Sequence, residues 1–359
     1  MASLTAQSSF LLARQTTGQR LLHVSLALVV LLGLAIMAGV AAGAAPIPVA
    51  RIPQILLHPL GVPLDPAIPD SQVTIVHQVR LPRVLTAMLV GAALATGGAV
   101  MQGIFRNPLA DPGILGVSAG GATGAVFAFS TGLSLAGVWV VPAFAFAGAL
   151  LAATAVYLLS LERGRAHVTT LLLAGTALNA FLGAVTSTLL LATDEVVQAQ
   201  VILNWLVGGL AGRGWRHVLV LVLPTLACIG LVFGYSRDLN LFLLGEETAQ
   251  GLGTNVPRTR FLLLALVALM TGISVSVAGP IGFAGLVVPH LLRLIVGPDH
   301  RVLLPASALG GGAFLIAADT VARLLITFQE VPVGVITGLL GGPFFLFLLW
   351  RYRRNARLL

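Results

Sequence analysis

Lysine is absent from this chain of 359 residues, and all 20 of its basic side chains are arginines. A GxxxxGKS/T phosphate loop is therefore excluded, and with it ATP binding of that kind. Cysteine occurs once, at Cys228 inside an apolar window, which rules out a disulfide within the chain and reads as a buried, inert thiol. Charge is scarce as well. Only 9% of residues are charged against 57% hydrophobic, and the mean hydropathy is +1.00; a water-soluble domain carries about a quarter charged residues. The composition is that of an integral membrane protein. No HExxH or CxxC pattern is present, and the seven histidines are dispersed near the ends of apolar runs, where interface-seeking or hydrogen-bonded roles need no metal. The net charge of +8 comes from arginines scattered between apolar runs rather than gathered in a stripe, which argues against nucleic acid as a partner.

Apolar windows long enough to cross hydrocarbon, about 20 residues each, fall at 21–42, 84–105, 114–130, 138–161, 168–192, 218–235, 261–278, 281–296, 302–326 and 333–350. This predicts an all-α membrane protein of about ten spans, both termini cytoplasmic. The domain reading is a short tail (1–20), one transmembrane unit (21–350) with a polar cytoplasmic segment at 237–257, and a basic tail (351–359). Orientation follows from arginine, which concentrates on cytoplasmic loops. An inner N-terminus puts fourteen arginines inside, among them Arg14, Arg106, Arg163, Arg258, Arg260 and Arg357, and leaves six near the outer face: Arg51, Arg80, Arg83, Arg213, Arg216 and Arg323. The first window, with Arg14 and Arg20 before it and small residues after it, imitates a signal peptide. Its apolar run exceeds the 7 to 15 residues of such a segment, so an uncleaved first helix is expected.

Between the second and third windows lies the corner Arg106-Asn107-Pro108-Leu109-Ala110-Asp111-Pro112-Gly113. Each proline lacks a donor and pushes its predecessor out of the helical region, so the chain must break twice; Asp111-Pro112 then reads as N-cap and first helical residue. A loose counterpart, Gly297-Pro298-Asp299-His300-Arg301, hints at two weakly related halves of five helices. Glycines at four-residue spacing, Gly116, Gly120 and Gly124, then Gly334, Gly338 and Gly342, offer smooth helix faces for packing within one subunit, or for a subunit interface or pathway. Asp319 is the one acid deep in a span, with Arg323 a turn later as a structural partner. The segment 237–257 is neither span nor simple turn. Glu246 and Glu247 suit the start of a short helix and Gly253 its left-handed end, and such a helix serves either as an interfacial connector or as a docking element.

Several spaced blocks then carry a family resemblance over about residues 21–351: Arg80-Leu81-Pro82-Arg83, Gly98-Ala99-Val100-Met101-Gln102, Asn107-Pro108-Leu109-Ala110-Asp111-Pro112-Gly113, Leu244-Gly245-Glu246-Glu247, Gly279-Pro280-Ile281-Gly282-Phe283 and Pro332-Val333-Gly334-Val335. In this order they resemble the permease subunit of the binding-protein-dependent ABC importers for ferric siderophores, haem and cobalamin. The resemblance implies ten transmembrane helices per subunit and a second permease subunit, as homo- or heterodimer, with the path between the two. It also implies two ABC ATPase subunits beneath and a periplasmic or lipid-anchored solute-binding protein above, in a bacterial inner membrane. It makes Gly245, Glu246, Glu247, Ala249, Leu252 and Gly253 the ATPase-coupling helix and Arg80, Arg83 and Arg323 the docking contacts. Asn107, Leu109, Val168 and Thr169 fall at the cytoplasmic mouth, Val168 standing where some relatives place a hydroxyl. No cofactor, metal or catalytic residue is expected in this chain; ATP and Mg belong to the partner ATPase. The competing reading is a secondary transporter or channel independent of ATP.

Overall fold

The computed structural model describes residues 17–43, 45–162, 165–193, 195–326 and 330–356. The expected N-terminal tail up to residue 16, Arg14, Arg163 and residues 357–359 lie outside them. Each of the ten apolar windows holds a helix: α1 (Thr17–Ala41), α4 (Leu81–Phe105), α5 (Val117–Ser130), α6 (Val140–Leu159), α7 (Val168–Leu191), α9 (Trp215–Gly234), α12 (Val256–Ala278), α13 (Ala284–Val296), α14 (His300–Leu325) and α15 (Val333–Ala356). Four shorter helices complete the set outside the windows, α2 (Ile52–Leu57), α3 (Asp70–Thr74), α10 (Ser236–Leu243) and α11 (Glu246–Gly251), together with α8 (Val196–Val207), which no window anticipated. A two-residue antiparallel ladder, β1 (Leu161–Glu162) with β2 (Arg165–Ala166), closes the turn between α6 and α7.

Seven helices among the described residues are long and apolar enough to cross a bilayer. The apolar stretches Val117–Ser130, Val196–Val207, Ala284–Val296 and Val333–Phe347 are shorter. At 1.5 Å per residue the 12 residues of α8 rise about 18 Å, short of a bilayer core of about 30 Å. Helix boundaries also shift at the tails: α1 starts four residues before the window, and α15 runs through Ala356 into the expected basic tail.

The corner behaves as its prolines require. Helix α4 stops at Arg106, which takes a left-handed φ of 48° just before Asn107-Pro108. Asp111 then caps a 3-10 turn (Pro112–Leu115), its Oδ1 accepting the N–H of Gly113 at 2.8 Å. The later corner repeats the device, with Asp299 Oδ1 accepting the N–H of Arg301 at 2.9 Å at the start of α14. A different proline acts at the other end of α4. Pro82 removes a donor, and the helix running from α3 into α4 widens to a π-turn over Ile75–Arg80. The carbonyl of His77 within this widened turn accepts from the indole of Trp215 at 2.8 Å.

Helix α4 is the centre of the bundle, buried along nearly its whole length and wrapped by α14, α13, α12 and α9. Hydrocarbon supplies no hydrophobic drive between helices, so close backbone approach must do the work. A Cβ on Gly91 would lie 2.2 Å from the carbonyl oxygen of Gly311 on α14, and one on Gly98 only 1.6 Å from that of Gly285 on α13. Of the two glycine stripes, Gly120 and Gly124 pack inside the chain, against Gly148 and Phe144 of α6. Gly334 also packs inside, against Val207, whereas Gly338 and Gly342 face open space. The intramolecular reading therefore holds for the first stripe and for one glycine of the second.

Gly98→Val is expected to abolish folding or to lower stability by more than about 4 kcal/mol, because backbone rather than a flexible side chain stands in the way. Gly338→Ala, in open space, is expected to stay within about 0.5 kcal/mol of the parent. Thermal unfolding of the detergent-solubilised protein, followed by size-exclusion profile, checks both.

Candidate functional site

Polar chemistry gathers at the two ends of the bundle. At one end, α10 and α11 fold back on themselves outside the long helices. Ser236, Leu239 and Phe242, spaced three apart, put one face of α10 against α4 and α14. Gly245 takes φ +105°, a conformation open to glycine, and releases the chain into α11. Glu246 and Glu247 occupy the first turn, and Gly253 at φ +92° follows the end of the helix, where the N–H of Thr254 returns to the carbonyl of Ala249 at 3.0 Å. Ala249 is fully buried, whereas Glu247, Leu252 and Gly253 are exposed. The helix thus stands on one alanine and offers a surface.

Three side-chain contacts hold this pair to the bundle. Arg260 of α12, itself buried, bonds Glu246 and donates to the carbonyl of Ala166 on β2 at 2.6 Å. Thr254 donates to Asp238 at 2.8 Å. Asn240 donates to Asp299 at 2.7 Å while its amide oxygen accepts the N–H of His300 at 2.8 Å. The last contact fastens α10 to the first turn of α14. Val168, at the start of α7, joins Glu246, Gln250, Pro257 and Arg260 around a cavity of 120 Å³. Thr169 beside it is exposed. Asn107 and Leu109 sit in the corner at this same end of α4, half-buried, with Asn107 Oδ1 accepting the N–H of Leu109 at 2.9 Å. The corner is clamped onto α7: Asn179 donates to the carbonyl of Gly113 at 3.1 Å, and Gly175 packs on the carbonyl of Ile114. Burial holds the Asp111 carboxyl above the usual carboxylate range, and the bond from Gly113 opposes that rise.

At the opposite end the three expected docking arginines lie inside the protein. Arg80 donates to the carbonyls of Val40 at 2.9 Å, Ala41 at 2.7 Å and Ala45. Arg83 contacts Asp319 at 2.9 Å and Glu330 at 2.8 Å. Arg323 reaches Asp319 at 3.1 Å and donates to the carbonyls of Ala42 at 2.7 Å and Gly39 at 2.9 Å. The i, i+4 pairing of Asp319 with Arg323 is present as expected. Arg80 and Arg83 are 4% and 7% exposed, and the guanidinium of each of the three arginines expected to make docking contacts is engaged within the chain. The reason is the cost of leaving a cation unpaired in a low-dielectric bundle. Sequence reasoning missed Glu330 and Arg260 as partners, because the contacts span 247 and 14 residues and charge spacing along the chain signals neither.

One nucleophile pattern does occur, Gly116-Val117-Ser118-Ala119-Gly120, which satisfies GxSxG. It lies at the start of α5, with Ser118 inside the helix and no strand before it, so it lacks the strand-to-helix turn that makes an elbow. No group of three or more His, Cys, Asp or Glu among the described residues could hold a metal ion.

The sequence profile of the FecCD transport family matches residues 29–351. The chain belongs to the FecCD transport family. It is 50% identical over 287 residues to the cobalamin import system permease protein BtuC of Halobacterium salinarum, covering 80% of this chain and 76% of that one. It is 47% identical to the hemin transport system permease protein HmuU of Yersinia pestis, over 77% of this chain and 83% of the relative. Among solved structures, an inward-facing ABC transporter assigned to the metal-chelate type superposes with a TM-score of 0.80 at 32% identity, over 92% of this chain and 99% of that one. As a member of the FecCD family with seven helices long enough to cross a bilayer, the protein is a multi-pass membrane protein.

Asp319→Asn is expected to cost about 3 to 5 kcal/mol, since it leaves Arg83 and Arg323 facing each other with one shared anion removed. The double variant Asp319→Asn, Arg83→Gln should lose less than the sum of the single losses, which thermal unfolding of the four proteins measures.

Proposed function

We propose that this FecCD family member is the transmembrane permease subunit of a binding-protein-dependent ABC importer, carrying a metal chelate or metallated macrocycle across the bacterial plasma membrane. The observation that carries the reading is the α10–α11 pair: α11 stands outside the bundle, exposed on the Glu247 and Leu252 side, and α10 before it is fastened by Asn240 to the first turn of α14. A push on α11 reaches α14 through α10. From Asp299 to Asp319 that helix rises about 30 Å, at 1.5 Å per residue, and reaches the cluster that holds Arg83 and Arg323. One rigid element links the two ends, the kind of element through which ATP-driven closure of partner subunits tilts spans between inward-open and outward-open states.

Energy comes from separate ABC ATPase subunits, which hold ATP and Mg; a chain without lysine has no phosphate loop of its own. Gly245, Glu246, Glu247, Ala249, Leu252 and Gly253 form the element they grip. The arginine bias puts this end in the cytoplasm. A second permease subunit covers α7 and α15, whose Leu173, Phe181, Leu339 and Leu340 are exposed and whose Gly338 and Gly342 are open to a neighbour. Asn107, Leu109, Val168 and Thr169 guard the inner mouth. A solute-binding protein docks at the outer end, and to use Arg80, Arg83 and Arg323 its carboxylates must displace the internal partners, Glu330 first because its side chain is the most exposed of the set. Relatives at 50% and 47% identity named for cobalamin and hemin support a cargo among cobalamin, haem and ferric siderophores.

Replacing Glu246 and Glu247 together by arginine is expected to abolish recovery of the ATPase with the detergent-extracted permease and to reduce cargo uptake at least tenfold. Arg260→Gln, which removes the anchor but leaves the surface, is expected to weaken that recovery severalfold. Flux through vesicles holding this chain alone, driven by an ion gradient without ATP, would overturn the assignment.

A further inference from the structure

Arg213 lines a cavity of 360 Å³ at the Asp319 end, together with Asn204, Trp205, Arg83, Glu330 and Pro332. The floor of this cavity is built from three helix ends pressed backbone to backbone. Gly208, at φ +79° after α8, lies where a Cβ would meet the carbonyl oxygen of Pro280 at 2.2 Å. A Cβ on Gly334, at the start of α15, would meet that of Val207 at 1.8 Å. The N–H of Gly209 donates to the carbonyl of Ala278 at 2.8 Å and the N–H of Gly334 to that of Gly208 at 3.1 Å. Such a floor is rigid, so the cavity is a built feature rather than slack in a loop.

The charges around it do not balance. Arg83 is neutralised by Asp319 and Glu330. Arg213 has no hydrogen bond or ion pair from its side chain among the described residues, and its Nε is buried without a partner. Burial holds its pKa below the usual guanidinium value, yet it stays a cation at neutral pH. A half-buried cation without an anion carries a desolvation cost, and a bidentate anion relieves it best. Asn204 adds an amide donor and Trp205 an aromatic surface beside it.

We propose that Arg213, Asn204 and Trp205 form a binding site for a carboxylate group, and that this group belongs to the small-molecule cargo as it enters the outer mouth. The assignment of the carboxylate to cargo rests on the importer reading; the site itself does not. A concave cavity of this size, walled by Arg83 and Ala278 that are themselves buried, fits a small ligand group rather than a protein surface. The pairing would favour cargo with free carboxylates over neutral chelates.

The test uses the full chain in lipid nanodiscs with Trp139, Trp215 and Trp350 replaced by phenylalanine, so that Trp205 is the only indole. Sodium citrate is the anionic probe, triethyl citrate its neutral counterpart and a short polyglutamate peptide the protein-like competitor. A saturable change in Trp205 fluorescence with citrate is expected, and none with triethyl citrate. The affinity should fall at least tenfold in Arg213→Gln and recover in part in Arg213→Lys, with the temperature of thermal unfolding lowered in neither. No response in the parent, an equal response in Arg213→Gln, or an equal response to the ester would overturn the site. Polyglutamate that binds through Arg213 at least tenfold more tightly than citrate would overturn the cargo assignment in favour of a docking partner. The importer reading fails separately, if cargo uptake with ATPase and binding protein present proceeds without ATP.

Discussion

A bundle in hydrocarbon has to be held by contact between backbones and by pairing of the charges it buries, and the α4–α14 contact supplies both at once. Gly91 and Gly311 let the two helices touch. Nearer one end of the same contact, Arg83 of α4 and Asp319 of α14 form a buried ion pair. Neither feature would be stable without the other: the close approach brings the charges into bonding distance, and the pairing removes the penalty of carrying them into the bundle.

The same axis is tied at both ends. Helix α14 begins at Asp299, tied to Asn240 of the external helix pair, and ends beyond Arg323, tied to the carbonyls that finish α1. Between these ties it is packed on α4 where Gly311 meets Gly91.

Much of this was legible in the residues. The ten apolar windows each hold a helix, and the double break at Pro108 and Pro112, the Asp111 cap, the short helix opened by Glu246 and the left-handed Gly253 all stand where local chemistry placed them. Local rules are strong there because proline, glycine and capping residues act within one turn. Less legible were the features that depend on what lies across the bundle. Helix α8 escaped notice because Gln198, Gln200 and Asn204 dilute its apolar run. The internal partners of Arg80, Arg83 and Arg323 were not legible, because a sequence shows a cation but not its distance from a carboxylate 236 residues away.

The amino-acid sequence by itself determined that the chain lives in a membrane, where its proline and capping residues break the helices, and that it cannot use a lysine-bearing phosphate loop; each of these depends on local composition and backbone chemistry. Only the tertiary structure decided which arginines are paired, that Arg213 lines a cavity with its Nε unpartnered among the described residues, which glycines touch a neighbour, and which end of α14 the external helices hold. Those outcomes depend on packing between segments far apart in the chain, where burial raises the cost of every unpaired charge and so selects the partner.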